Sequence, residues 1–210
     1  NMKVHDVISY GIMKIAFSII LFVCGAKVSV EGIDNIPKDK PVLYVGNHRS
    51  YFDIIVLYRY VVGPTGFIAK KEFRKVPVLG HWISCLHGIF LDRKDIKAGL
   101  KTILEAIENV KTKGISYSIF PEGTRNHEKE MLPFKEGSMK IATKSGCPIV
   151  PVAMTHMDDL LENHMPFIKG ANVSIRFGEP IYTDQLSKDE LKFLGAKVRD
   201  KIQLMIDDMQ

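Results

Sequence analysis

His48 and Asp53 are the residues whose types and spacing best suit chemistry; they frame the stretch Asn47-His48-Arg49-Ser50-Tyr51-Phe52-Asp53. An apolar run, Pro41 to Val45, ends in Gly46-Asn47 and delivers the histidine to a loop, and Asp53 falls in the first turn of the helix that follows. A histidine at a strand end, with a carboxylate able to fold back under its ring, is how a fold presents a general base. Spacing alone is weak evidence, because His87 and Asp92 repeat it. That second pair lies in Gly88–Leu91 and its flanks, which read as a strand, where an odd offset sends two side chains to opposite faces. A competing structural account treats Ser50 as an N-cap with Asp53 three positions on, close to a capping box. It gives His48 no role, and both accounts hold together.

Phe120-Pro121-Glu122-Gly123-Thr124-Arg125 follows another strand. Backbone amides around Gly123 can face a ligand at a sheet end, glycine permits close approach of a phosphate, and Arg125 offers a bidentate fork. Glu122 beside Arg125 is placed to fix the guanidinium, and the alternative is an ordinary turn with an ion pair. Asp92-Arg93 after a strand, and Lys70 with Lys71, allow the same phosphate reading or that of a surface charge run. The group His156, Asp158, Asp159 and His164 matches no compact zinc or calcium spacing and reads as solvated polar surface. No metal and no cofactor are expected. The chain holds no P-loop, no G-x-G-x-x-G and no G-x-S-x-G. Its basic residues are spread out without aromatic interleaving, which disfavours nucleic acid.

The elements that must position these residues alternate. Strands are expected at Lys27–Ile33, Pro41–Val45, Phe67–Ala69, Gly88–Leu91, Ile115–Phe120, Pro148–Met154 and Ala171–Phe177. Helices are expected at Ser50–Val62, Val76–Leu86, Ile96–Lys113, Met139–Lys144 and Leu186–Met209. This pattern predicts an α/β protein, one domain with a mixed, largely parallel central sheet flanked by helices. Ahead of it Val7–Cys24 is apolar at helical spacing, with Ser9, Lys14 and Ser18 towards another side. It reads as an amphipathic helix lying on a membrane; a short span and a core helix are the alternatives. The expected division is residues 2–26 as membrane-associating helix and 27–210 as catalytic domain. Asn1 ahead of Met2 reads as a remnant of preparation.

The 210 residues are 46% apolar and 25% charged, enough for a sizeable core. A net charge of +5 favours an anionic partner. Cys24, Cys85 and Cys147 lie far apart in apolar surroundings and read as reduced thiols.

Four segments in order resemble the glycerolipid acyltransferase family, in particular its bacterial 1-acyl-sn-glycerol-3-phosphate acyltransferases. They are Asn47–Asp53, Gly88-Ile89-Phe90-Leu91-Asp92-Arg93, Phe120–Arg125 and Ile149-Val150-Pro151-Val152. The resemblance implies transfer of a fatty acyl group from acyl-CoA or acyl carrier protein to the sn-2 hydroxyl of lysophosphatidic acid, giving phosphatidic acid for phospholipid synthesis. His48 would be the general base of an HX4D motif, oriented by Asp53. Arg93, Glu122, Gly123, Thr124 and Arg125 would hold the acceptor phosphate, with Lys70 or Lys71 helping. The protein would work on the cytoplasmic face of the cell membrane, against an anionic surface. An acyltransferase for glycerol-3-phosphate or another lysolipid, or a non-catalytic lipid-binding protein, are the competing expectations.

Overall fold

The computed structural model describes residues 4–92, 95–128 and 130–209. Seven strands form one sheet: β1 (Lys27–Glu31), β2 (Leu43–Gly46), β3 (Thr65–Lys70), β4 (Ile89–Leu91), β5 (Ser116–Ile119), β6 (Ile149–Thr155) and β7 (Asn172–Phe177). Their spatial order is β1-β7-β6-β2-β5-β3-β4, and β6 with β7 is the antiparallel pair. The expected α/β architecture with a mixed, mostly parallel sheet is thus observed. β2 and β6, buried at every position, are near-continuous apolar runs of the kind expected of central parallel strands, and β5 is equally buried but alternates Ser116 and Ser118 with Tyr117 and Ile119.

Helices cover both faces. α1 (Val4–Val23) and α2 (Phe52–Tyr60) lie over a core that includes Tyr44, Val56, Tyr58 and Phe177. α4 (Ile96–Lys113), α5 (Lys140–Ser145) and α7 (Leu194–Asp208) lie over the other, with Val45, Tyr117, Ile141 and Ile202. α4 has the predicted bounds because both ends carry strong local signals. The Asp95 side chain accepts from the Lys97 and Ala98 N–H groups, and Gly114 closes the helix in the left-handed region.

Three predicted elements change. The helix expected from Val76 starts at Leu79 as α3 (Leu79–Cys85), after a 3-10 turn over Lys71–Lys75. The closing helix divides at Phe193, where α6 (Lys188–Lys192), held by a Ser187/Glu190 capping box, ends before α7. His87 lies outside the strand: its φ is 56°, and its Nε2 is 2.9 Å from Asp6 Oδ1 of α1. The expectation that His87 and Asp92 do not converge still holds, since Asp92 pairs with Lys71.

α1 packs a mixed face on the protein, with Met13, Phe17 and Leu21 beside its polar residues, and leaves large apolar side chains outside. Asp6, Ser9 and Tyr10 are buried, and Lys14 Nζ donates to Val61 O at 2.8 Å. Val7, Ile8, Ile12, Ile15, Ile19 and Phe22 face outward. Its polar stripe is therefore satisfied by the protein and an apolar stripe is left over.

Gly66 shows how tightly β3 and β5 are joined. A Cβ there would lie 2.5 Å from His87 O and 2.7 Å from the Tyr117 ring. Tyr117 is fully buried and tied by Asn109 at 2.7 Å, so neither neighbour can yield. Gly66→Ala is expected to lower stability by about 1–3 kcal/mol; a urea midpoint equal to that of the parent would refute this account.

Candidate active site

Because β2, β5, β3 and β4 are parallel to one another, their carboxyl ends open on one edge, where ligands of open α/β sheets bind. His48 leaves β2 at that edge. Asn47 fixes the exit: its Nδ2 donates to Met154 O and its Oδ1 accepts from Met154 N, each at 2.8 Å. This buried amide continues the β2–β6 ladder one residue beyond its last backbone pair.

Asp53 then gathers three donors on a single oxygen. Oδ2 lies 2.7 Å from His48 Nδ1 and accepts from the backbone N–H groups of Arg49 at 2.7 Å and Ser50 at 2.8 Å. Oδ1 is buried and has no hydrogen-bond partner among the described residues. Burial pushes this carboxyl above the usual carboxylate range, against the opposing pull of His48 and the two amides. A ring N–H donated to Asp53 leaves Nε2 as the imidazole's basic nitrogen. The predicted cap is present in altered form. The helix begins at Phe52, the Ser50 hydroxyl accepts from Phe52 N at 3.0 Å, and Asp53 supplies the return bond to Ser50 N.

Glu122 does not fix Arg125. Its Oε1 accepts from His48 N at 2.9 Å and its Oε2 from Leu132 N at 3.0 Å, while Asn126 N donates to His48 O at 2.8 Å. The turn after β5 therefore grips the His48 backbone from both sides, and Phe120 stacks on the imidazole at 4.4 Å between centroids. A buried carboxylate satisfied by two backbone amides has no charge partner to announce it in the sequence.

Arg125 pairs instead with Glu162, Nη1 to Oε1 at 2.9 Å, and its guanidinium lies 3.8 Å over the Tyr51 ring. Glu162 also accepts from the Ser50 hydroxyl at 2.6 Å and from Tyr51 N at 2.9 Å. Asp158 receives Arg49 at 3.1 Å. The segment expected to be solvated polar surface thus sends two carboxylates inward, whereas His156 and Asp159, paired with each other at 3.2 Å, fit that description and His164 is part-exposed. No sequence signal marked Glu162, whose partners lie 37 and more than a hundred residues away.

The other sequence-predicted cations spread along the sheet. Strands sit about 4.8 Å apart, so the turn after neighbouring β5, with Gly123, Thr124 and Arg125, comes nearest to His48. Lys70 and Lys71 follow β3, roughly 10 Å off by the same spacing; Lys71 is paired with Asp92 and Lys70 with Glu72. Arg93, expected as a phosphate ligand, lies outside the described residues. One cation was missed: Lys135 Nζ would meet a Cβ on Gly123 at 2.7 Å. A mostly apolar cavity of about 410 Å³ opens beside it, lined by Ile68, Leu100, Ile103, Ile119 and Phe120 together with Asp92, Asp95, Lys135 and Lys140.

At its strand ends the open α/β sheet presents a histidine held on a buried carboxylate, the geometry a general base requires. Residues 27–155 match the family model described as Acyltransferase, and the chain belongs to that family. It is 34% identical over 204 residues to the 1-acyl-sn-glycerol-3-phosphate acyltransferase of Saccharomyces cerevisiae, covering 96% of this chain and 63% of the yeast protein's length. The enzyme of the same name from Borreliella burgdorferi is 31% identical, with 93% of this chain and 78% of that one covered. Among solved structures, the 1-acyl-sn-glycerophosphate (LPA) acyltransferase PlsC of Thermotoga maritima superposes with a TM-score of 0.83 at 30% identity. That match covers 95% of this chain and 79% of the other.

Asp53 and Glu122, which burial raises above the usual carboxylate range, work in the same direction. The folded chain keeps protons that the unfolded chain has released, so stability falls as pH rises through that raised window. Glu122→Gln keeps the acceptor for His48 N and removes the buried charge. Urea midpoints measured across acid to neutral pH should fall less steeply in the variant; an identical slope would contradict the assignment.

Proposed function

We propose that this acyltransferase moves a fatty acyl group from acyl-CoA or acyl carrier protein to the sn-2 hydroxyl of 1-acylglycerol-3-phosphate, yielding phosphatidic acid. The observation that carries the reading is the 2.7 Å contact of His48 Nδ1 with the fully buried Asp53. Nε2 of His48 takes the acceptor hydroxyl's proton as the oxygen attacks the thioester carbonyl. Asp53 holds the ring and stabilises its imidazolium form. Collapse of the tetrahedral intermediate breaks the C–S bond, and the leaving thiolate takes the proton back from His48. The free cysteines are Cys24, Cys85 and Cys147, none of them near His48 in sequence, and the Ser50 hydroxyl is engaged with Glu162 and Phe52. Direct transfer, without an acyl-enzyme, suits that arrangement.

Arg125, Gly123 and Thr124 receive the acceptor phosphate in this reading, one strand from the base, with Lys70 or Lys71 and Arg93 farther along the edge. Glu122 serves it indirectly, by holding the His48 backbone. The mostly apolar cavity beside Phe120 takes an acyl chain. The relatives' names support lysophosphatidic acid as acceptor. The outward apolar face of α1 and the net charge of +5 support docking of residues 2–26 on the anionic cytoplasmic face of a membrane, with 27–210 as catalytic domain.

Thioester consumption with lysophosphatidic acid tests the chemistry. His48→Ala is expected to lower kcat by about 10²–10⁴; full activity in that variant would remove His48 from the mechanism. Arg125→Ala is expected to raise the KM for lysophosphatidic acid by roughly tenfold or more, the loss of one charge-assisted hydrogen bond. Unchanged KM and kcat would place the phosphate elsewhere.

A further inference from the structure

The edge that carries His48 also carries an exposed apolar loop. β6, parallel to β2, ends there at Thr155; β7 runs back antiparallel, and β1 is parallel to β7. The chain between Thr155 and Asn172 and the carboxyl end of α1 therefore both lie at the active-site edge. Residues 157–169 form a closed loop: Lys169 N donates to Leu160 O at 3.0 Å, and Phe167 N to His164 O at 2.9 Å. Its base is anchored, with Leu160 fully buried and Glu162 bonded to Ser50, Tyr51 and Arg125. Its tip is apolar and exposed: Met165 at 58%, Phe167 at 71% and Ile168 at 51%.

Three large apolar side chains within four positions of a loop exceed the scattered exposure of ordinary surfaces. The loop joins the outward face of α1 directly. Gly170 packs on Gly25, where a Cβ would lie 3.1 Å from the Gly170 Cα, and Lys27 N donates to Ala171 O at 2.9 Å. Phe22 and Val23, exposed at 84% and 76%, end α1 just before this seam. Lys27 and Lys169 stand exposed beside it. Apolar side chains flanked by cations fit an anionic lipid surface.

We propose that the tip Met165–Ile168 is a second membrane contact, which inserts beside the carboxyl end of α1 and seats the active-site edge on the bilayer. This deepens the reading of α1 as a membrane helix and rests on it. One helix holds the protein along a single line, with roll limited only by the width of its apolar stripe; a second contact off that axis fixes which edge faces the lipid. The lysolipid then meets His48 without leaving the membrane surface. Glu162, three residues before the tip, ties the inserted loop to Arg125.

Flotation of the full chain with phosphatidylcholine vesicles, with and without phosphatidylglycerol, tests the contact without reference to catalysis. The double substitution Phe167→Ser with Ile168→Ser is expected to lower partition onto the anionic vesicles by about tenfold or more. It is expected to leave the melting temperature and the turnover of a short-chain, water-soluble lysophosphatidate unchanged. Undiminished partition overturns the proposal. So does a change in self-association without a change in partition, which would assign the tip to a second copy of the chain. Equal losses on soluble and vesicle-borne acceptor would place the loop in the chemistry instead. Absence of turnover in the parent chain with any acceptor counts against the catalytic reading alone, since flotation does not depend on it. Should the double variant melt early, Phe167→Trp in a Trp82→Phe background gives a second measure. Its emission should shift to the blue on adding anionic vesicles, and an unchanged spectrum overturns the insertion.

Discussion

The burial of Asp53 is the constraint on which the rest of the site depends. A carboxylate taken out of water must be answered by donors, and a single oxygen here answers to three of them. Two of those donors are the amides of Arg49 and Ser50, so the bond that orients the imidazole also folds the loop that carries it. Local geometry at His48 is therefore inseparable from the start of α2. The unpartnered Oδ1 is the cost of that arrangement. A buried, under-satisfied carboxylate is tolerated where it does work on a neighbouring group.

The other contacts of the site limit the freedom that remains. Asn47 locks the strand exit to β6, Glu122 and Asn126 hold the His48 backbone from β5, and Phe120 covers the ring. They come from the ends of β2, β6 and β5, which are neighbours in the sheet, so its parallel order brings them together. The same order ranks the cations: Arg125 follows the strand beside that of His48, whereas Lys71, with its partner Asp92, lies at strands farther out. Glu162 closes the set from beyond β6 by joining the start of α2 to the turn after β5.

α1 shows the same logic at the scale of an element. Its polar residues find partners within the protein, Lys14 on Val61 O and Asp6 on His87. A lysine inside an apolar helix is thereby paired on the packed side, and the outward side needs no concession to water. His87, which merely repeated the spacing of His48, proves to be an anchor for this helix.

Sequence alone determined the alternation of strands and helices, the mixed α/β sheet, the bounds of α4, and the His48/Asp53 pair. These depend on hydrophobic period, on caps, and on residues at most five positions apart, all short-range signals. It also showed an apolar segment with a polar stripe, but could not say which stripe would meet the protein. Tertiary structure decided what depends on distant partners. Glu122 serves a backbone rather than Arg125, Arg125 turns to Glu162, and Asp158 and Glu162 point inward from a stretch that reads as solvated. A buried carboxylate's partner is chosen by which strand ends become neighbours. Neither composition nor spacing encodes that until the sheet has closed its order.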